Sequence, residues 1–141
     1  MPSCFRISEA AALALHTAGM LADSADAVVS TPAFAAQLSV SENHLAKVHQ
    51  RLTHAGITAA VRGPSGGFRL AKPASAIRLI EIVEAVDGPL EPSQCLLGRP
   101  TCLRANCLLG GLSDSINAQV LDFLNSTTVA DLGAAGKLDG A

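Results

Sequence analysis

The spacing of apolar residues along the chain predicts several short helices and a single β-hairpin. The first apolar segment is rich in alanine and carries leucines at helical spacing. Ser8 can cap this segment, and Glu9 lies in the first turn, where a negative charge interacts favourably with the helix dipole. We therefore predict a helix from Glu9 to about Ala22.

Two further helices are predicted on either side of a three-residue turn. Thr31-Pro32 is typical of a helix start, with Thr31 as the N-cap, and this helix should continue to about Leu38. Ser41 then caps a helix whose inward face carries Leu45, Val48, Leu52 and Ala55. Such a pair forms a helix-turn-helix, whose second helix enters the major groove of DNA.

A basic loop rich in turn-forming residues follows, between Arg62 and Arg69. Pro64 fixes one φ angle and three glycines permit positive φ, so the loop predicts the tip of a β-hairpin. A basic hairpin directly after a helix pair is the arrangement of a winged helix. An ordinary solvated hairpin has the same turn residues and is the alternative.

The second half of the chain predicts two more helices separated by a long loop. Ser75 can cap the first, whose buried stripe is Leu79, Ile80, Val83 and Val86, and Gly88-Pro89 ends it. A loop without clear periodicity then extends over residues 89–111, a length that is usually functional or disordered. The last helix, from about Leu112 to Leu124, has an apolar stripe too broad for a small core to cover, which favours a dimer contact.

Length and composition agree with this outline. The chain has 141 residues, of which 49% are hydrophobic and only 3% aromatic, which suits one mainly helical domain. We predict a mainly α fold with a small β-hairpin, a winged helix-turn-helix followed by a long C-terminal dimerisation helix. The expected division is a DNA-binding domain over residues 1–88, a cysteine-bearing sensor loop over 89–111, and a dimerisation helix with its tail over 112–141.

The charge is distributed unevenly. The net charge is −2, but the window from Asn43 to Ile80 holds six basic residues and no acidic one, so it carries +6 and the remainder −8. Such asymmetry indicates an anionic partner, usually nucleic acid, although a solvated basic face is the alternative. On the second helix of the pair, Asn43 and His44 can reach base edges, and Lys47 or Arg51 can reach phosphate. His49 and His54 are better interpreted as packing or surface histidines.

Targeting signals are weak. The apolar run after Glu9 is preceded by a single basic residue, is interrupted by His16 and is too short to span a membrane. We expect a cytoplasmic protein without a membrane partner, in which thiols stay reduced. The four cysteines then suggest metal or redox chemistry more than disulfides.

Three segments together resemble the Rrf2 family of bacterial transcriptional regulators: the stretch from Leu45 to Ala71, the run Glu81–Leu90 and the closing run Phe123–Leu132. The similarity covers about Ile7 to Leu132. It implies a homodimeric winged helix-turn-helix repressor or activator that binds a double-stranded DNA operator and is not an enzyme. No paired-carboxylate, nucleophile–base or phosphate-loop arrangement argues for catalysis.

The resemblance also assigns DNA contacts. Arg62 matches the family arginine that reaches the minor groove, and Asn43 and His44 match positions near the major groove. One family member reads its DNA operator with a glutamate at the position that Ala46 occupies here. The operator sequence of that member is therefore not expected for this protein. The full set of predicted DNA-binding residues is Ser41, Asn43, His44, Lys47, Arg51, Arg62, Gly63, Ser65, Gly66 and Arg69.

In this family the loop before the dimer helix often carries an iron–sulfur cluster, which senses nitric oxide, redox state, iron or iron–sulfur status. Cys95, Cys102 and Cys107 lie in that loop, and thiolates suit a [2Fe–2S] or [4Fe–4S] cluster as well as zinc. The spacing fits a zinc site poorly, because only one pair is close enough. Free or redox-paired thiols are a further alternative, which would make the chain a cluster-free regulator acting through cysteine oxidation or a protein partner.

The fourth ligand of such a cluster is the open point. The histidine that follows the last cysteine in some members is Gly110 here, and a helical aspartate used by others is Ala12. His16 matches a ligand position one turn later and is our candidate, although a helical histidine is more often a packing residue. Cys4, Glu9 and an external ligand stay open. Because the loop joins two helices, its state would change the spacing of the DNA-reading helices of a dimer.

Overall fold

The computed structural model of the protein describes residues 6–23, 28–92 and 107–135. Within these ranges the chain forms six α-helices, one 3-10 turn and one antiparallel hairpin. Their order is α1 Glu9–Ala22, α2 Thr31–Leu38, α3 Glu42–His54, β1 Thr58–Val61, β2 Gly67–Leu70, the 3-10 turn Ala74–Ala76, α4 Leu79–Asp87, α5 Leu108–Ser126 and α6 Val129–Ala135. The mainly helical fold with one hairpin is as predicted.

The helix starts follow the predicted capping chemistry with one shift. Ser8 accepts a hydrogen bond from the Ala11 N–H at 2.9 Å, which confirms it as the cap of α1. Thr31 is wrong as the cap of α2, because Ser30 takes that place and accepts from the Ala33 N–H at 3.3 Å. The Thr31 hydroxyl is instead engaged by a histidine of α3.

The core lies where α1, α3 and α4 meet. The alanines at positions 11, 14 and 18 of α1 are fully buried, and their small side chains let neighbouring helices approach closely. Leu45, Val48 and Leu52 of α3 are buried as predicted. Ala55 is not: it follows the last residue of α3 as the C-cap, where the chain turns away, and it is exposed.

The hairpin pairs β1 with β2 in the register Thr58 to Leu70 and Val61 to Gly67. On the other side of β2, Phe68 exchanges two hydrogen bonds with Val29, at 2.9 and 3.0 Å. A Cβ atom at Gly67 would collide with the carbonyl of Val29. The absence of a side chain at Gly67 therefore lets the hairpin lie against the chain just before α2.

Two helix starts differ from prediction. Ser75 does not cap α4, because a 3-10 turn intervenes and α4 begins at Leu79, where the Glu81 carboxylate accepts the Arg78 N–H at 2.8 Å. The last long helix begins at Leu108, four residues before the predicted start, and so takes in Gly110 and Gly111. Those glycines lowered the helical signal, but Gly110 is buried in the helix.

The end of the described chain returns to the core. Thr127 and Val129 form backbone hydrogen bonds with Leu79 and Ile77, both at 2.9 Å, and Val129 is fully buried. The helix α6, which falls in the stretch expected to be a tail, packs against α1. None of the helices in the described ranges is sufficiently long and apolar to cross a membrane.

Candidate nucleic-acid interface

The first turns of α3 present polar side chains to solvent. Ser41 accepts the His44 N–H at 3.4 Å, so its hydroxyl serves the helix start. Asn43 and Lys47 are exposed, in agreement with their predicted place on the outward face. His44 is half-buried, and its Nε2 is a buried atom without a hydrogen-bond partner in the described part of the chain.

His49 points the other way and joins four elements. Its Nε2 lies 3.1 Å from the Thr17 hydroxyl of α1 and its Nδ1 3.0 Å from the Thr31 hydroxyl of α2. The ring packs edge-on against Phe34 of α2 and Phe68 of β2, with centroid distances of 5.3 and 4.8 Å. Burial lowers the pKa of His49 from 6.5 to about 4, so the ring is neutral at neutral pH.

The packing interpretation of His49 is thus confirmed, but its role as a link between α3 and the hairpin was missed from the sequence. One signal was available: His49 is four residues after Leu45 and three before Leu52, which places it on the inward face of the helix. Its two threonine partners lie on other helices, and nothing in the local sequence identifies them.

The tip of the hairpin is shaped by its backbone. Gly63 has a φ of 112°, and its carbonyl accepts the Gly66 N–H at 2.9 Å. A Cβ atom at Gly66 would collide with the Val61 carbonyl, so the turn closes only with glycine there. Arg62 and Arg69 flank this turn and are exposed, as is Ser65. A tight turn therefore carries two exposed guanidinium groups.

The structure divides the six basic residues of the window into two groups. Lys72 and Arg78 both approach the carboxylate of Glu81, at 3.8 and 3.7 Å. Arg51 donates from Nη1 to the carbonyl of Val86 at 2.8 Å. The remaining three are Lys47, Arg62 and Arg69. Across residues 6–23, 28–92 and 107–135, no hydrogen bond or ion pair engages their side chains.

These three exposed cations lie on α3 and on the hairpin, and β1 packs against α3. A helix that exposes polar side chains beside a hairpin that exposes guanidinium groups can contact a groove and the phosphates bordering it. The described structure thus places Ser41, Asn43, His44 and Lys47 at the start of α3, and the predicted wing residues on the hairpin that follows α3. Arg51 differs from the other predicted DNA-binding cations, because its Nη1 already donates a hydrogen bond to α4.

Only one of the predicted metal ligands among the cysteines lies in the described part of the chain. Cys107 immediately precedes α5 and is half-exposed, so its sulfur lies at the N-terminus of that helix. Cys95, Cys102 and Cys4 fall outside the described residues. The described ranges contain no group of three His, Cys, Asp or Glu side chains placed to hold a metal ion.

His16 has a geometry compatible with ligation. It is exposed on α1, and its Nδ1 lies 2.7 Å from the carbonyl oxygen of Ala12. A carbonyl can only accept, so Nδ1 donates in this contact, and Nε2 is the ring nitrogen that does not take part in it. A carbonyl-bound Nδ1–H is the usual way in which a metal-binding histidine is oriented. The chemistry of Cys107 and His16 therefore suits an iron–sulfur cluster.

Comparison with known proteins identifies the family. Residues 7–135 match the Rrf2 family, described as iron-dependent transcriptional regulators. The chain is 32% identical over 125 residues to the HTH-type transcriptional regulator IscR of Cereibacter sphaeroides, covering 86% of this chain and 81% of that protein. To IscR of Yersinia pseudotuberculosis it is 36% identical over 94 residues, covering 66% of this chain and 57% of that protein.

Solved structures show the same fold. CymR, the global cysteine regulator of B. subtilis, superimposes with a TM-score of 0.79 at 25% identity, covering 94% of this chain and 99% of that one. IscR of T. potens has a TM-score of 0.73 at 21% identity over 97% of this chain and 95% of that one, a likeness of fold alone. Transcriptional regulators of this kind are not typically enzymes. The chain, with its helix-turn-helix, its wing and a family match over nearly its whole length, belongs to the Rrf2 family of transcriptional regulators.

Proposed function

We propose that the protein is a homodimeric transcriptional regulator that reads a double-stranded DNA operator with α3 and the wing. The observation that carries this proposal is a set of three exposed cations, Lys47, Arg62 and Arg69, which lie on two adjoining elements and have no side-chain partner among the described residues. Asn43 and His44 contact base edges from the first turn of α3, with Ser41 positioning that turn. Gly63, Ser65 and Gly66 bring the wing backbone close to the sugar-phosphate chain.

We expect Arg62→Ala to weaken binding to the promoter of the protein's own gene by about 10- to 100-fold, the loss typical of one well-placed arginine contact. The measurement is a titrated gel shift at fixed salt. Lys72→Ala is the matched control, because it removes a cation of the same window that already pairs with Glu81. Equal affinities of Arg62→Ala and the unaltered protein would exclude the wing from DNA binding.

A dimer is supported by the exposed face of α5. Leu108, Leu109, Leu112, Ile116 and Phe123 are between 42% and 90% exposed. Large apolar side chains clustered along one helix mark a protein contact. A second copy of the chain, meeting this face with its own α5, would bury them and would place two copies of α3 for a two-fold symmetric operator.

An iron–sulfur cluster held by Cys95, Cys102 and Cys107, with His16 as fourth ligand, is the proposed control element. When bound, such a cluster reacts with oxidants and nitric oxide. Support comes from the thiol of Cys107 at a helix N-terminus, from the exposed His16, whose Nδ1 is bound to the Ala12 carbonyl, and from the likeness to IscR regulators. The protein's own contribution is to fix the ring of His16 through the Ala12 carbonyl and to connect the cysteines to α5.

We expect anaerobically purified protein to contain iron and acid-labile sulfide and to absorb visible light. Replacing Cys107 by serine should reduce the iron content several-fold. Cys4→Ser tests the alternative fourth ligand and should leave the iron content unchanged if His16 is the ligand. His16→Ala should shift the visible spectrum if the ring is a ligand. Colourless protein with neither iron nor sulfide would remove the cluster from the proposal.

The second candidate is a cluster-free regulator that responds to cysteine oxidation or to a partner protein. It is favoured by the likeness to CymR, whose described role is that of a cysteine regulator, over 94% of this chain. The metal analysis separates the two candidates. An iron-free protein whose DNA affinity still changes on oxidation of its thiols would favour the second.

A further inference from the structure

Arg51 projects from the recognition helix α3 to the end of α4. Its Nη1 donates to the carbonyl oxygen of Val86 at 2.8 Å. Beside this contact, the two helices border an open groove of about 490 Å³, lined by Lys47, Gln50, Arg51, His54, Ala55 and Ala85. A polar bridge at the edge of an open groove can form or break without exposing the core.

The end of α4 needs such a donor. Val86 lies in the last turn, where helix carbonyls lack partners within the helix and the dipole is negative. That turn contains no basic residue of its own, and Asp87 adds another negative charge. The guanidinium of Arg51 therefore supplies both a donor and a positive charge that α4 does not provide for itself.

The same end of α4 is also tied to α1. The Ser8 hydroxyl lies 2.8 and 2.7 Å from the two carboxylate oxygens of Asp87, while Ser8 caps α1. Two adjacent residues of α4, Val86 and Asp87, thus hold the recognition helix and the start of α1. A displacement of this turn would act on both.

This turn is where the cysteine-bearing segment departs. Gly88 ends α4 with a φ of 81°, and Cys95 follows Val86 by nine positions. The segment rejoins the described structure at Cys107, ahead of α5, and α5 packs against α4. One end of the segment therefore starts at the turn that Arg51 holds, and its other end leads into α5, whose C-terminal end contacts the start of α4 through Asn125 and Thr127.

We propose that Arg51 is a positioning residue that couples α3 to the root of the cysteine-bearing segment, so that the state of the cysteines biases the recognition helix through the Val86 contact. The coupling rests on the proposed function for its signal. By linkage it works in both directions: DNA that fixes α3 also steadies the end of α4. Arg51 then acts on DNA affinity through α3 and makes no phosphate contact of its own.

The test compares the unaltered protein with Arg51→Met, which keeps an apolar stem but removes the donor, and with Arg51→Lys, which restores a charged donor. Amide hydrogen exchange is followed at Gly88 and Leu90, whose N–H groups contact Glu84 at 2.9 and 3.5 Å, with and without promoter DNA. We expect DNA to slow exchange at both amides in the unaltered protein, not in Arg51→Met, and partly in Arg51→Lys. Equal protection in all three proteins overturns the coupling.

The salt dependence of DNA binding separates coupling from a phosphate contact. A lost phosphate contact lowers the slope of log affinity against log salt by about 0.9. We expect this decrease for Lys47→Ala, the matched control on the same helix, and an unchanged slope for Arg51→Met. A decrease for Arg51→Met, with normal exchange at Gly88, would make Arg51 a phosphate ligand and overturn the proposal.

A third measurement links the coupling to the cysteines. DNA affinity is determined for metal-free reduced protein and for protein reconstituted anaerobically with iron and sulfide. If the two states of the unaltered protein differ by about 10-fold, a typical coupling, Arg51→Met should bring the ratio close to one. A ratio retained in Arg51→Met overturns the route through Arg51. If the metal-free and reconstituted states of the unaltered protein bind DNA equally well, control by a cluster is contradicted. The hydrogen-exchange experiment then still decides the coupling through Arg51.

Discussion

Acidification from pH 6.5 to pH 4 is expected to remove about 3 kcal/mol of unfolding free energy through His49 alone. The folded protein holds this ring neutral, with a pKa of about 4, whereas the unfolded chain protonates it near 6.5. The unfolded state therefore binds more protons as the pH falls. The stabilisation is complete above pH 6.5, declines through the interval and levels off below about pH 4.

The measurement is urea unfolding of the unaltered protein and of His49→Leu at several pH values. His49→Leu should be less stable at pH 7 by about 1–3 kcal/mol, since it leaves the hydroxyls of Thr17 and Thr31 without their partner. It should also lose most of the dependence on pH between 4 and 6.5. His54→Leu is the matched control, an exposed histidine of the same helix whose replacement should leave the acid profile unchanged. If the unfolding free energy of His49→Leu still falls between pH 6.5 and pH 4, groups other than His49 cause the loss of stability.

A single charge in the apolar face of α5 is expected to separate the proposed dimer. Ile116→Asp places a carboxylate in the middle of the exposed apolar stripe, between Leu112 and Phe123. Burying an unpaired carboxylate in an interface costs several kcal/mol, so the dimer dissociation constant should rise at least about 100-fold. DNA affinity should fall steeply as well, because two half-sites would no longer be bound together.

The measurement is sedimentation equilibrium over a range of protein concentrations, with a gel shift on the same samples. Ala118→Asp is the matched control: it adds the same charge at an exposed position of α5 that lies off the apolar stripe. That variant should remain dimeric. A dimer that persists in Ile116→Asp would show that α5 does not form the interface.

Local signals in the sequence predicted most of the elements. The cap at Ser8, the tight turn before Ser41 and the glycine-rich hairpin tip depend on neighbouring residues only, and the structure has all three. Errors arose where a distant partner decides the local choice. Ser30 displaced Thr31 as the cap of α2, where His49 engages the Thr31 hydroxyl, and the pairing of Val29 with Phe68 joins residues far apart in the chain.

The candidate site shows the same division. Exposure of Asn43, Lys47, Arg62 and Arg69 follows from helical spacing and from their place in the hairpin, both of which are readable from the sequence. The hydrogen bond between Arg51 and Val86 could not be predicted from the sequence, because it depends on how α3 crosses α4. The resemblance to the Rrf2 family is confirmed by the match over residues 7–135. It suggested a role for the loop between α4 and α5, which periodicity could not, and that role stays a proposal.

The backbone pairing of Arg78 with Thr128 brings the start of α4 next to the end of α5. Val129, which follows, is buried and bonded to Ile77 just ahead of α4. Because Leu124 of α5 belongs to the core, an exchange of residues 89–126 for the corresponding stretch of another family member has to keep an apolar side chain at that position. A truncation that stops after α4 would also remove α6, which packs against α1, and would expose part of the core of the DNA-binding domain.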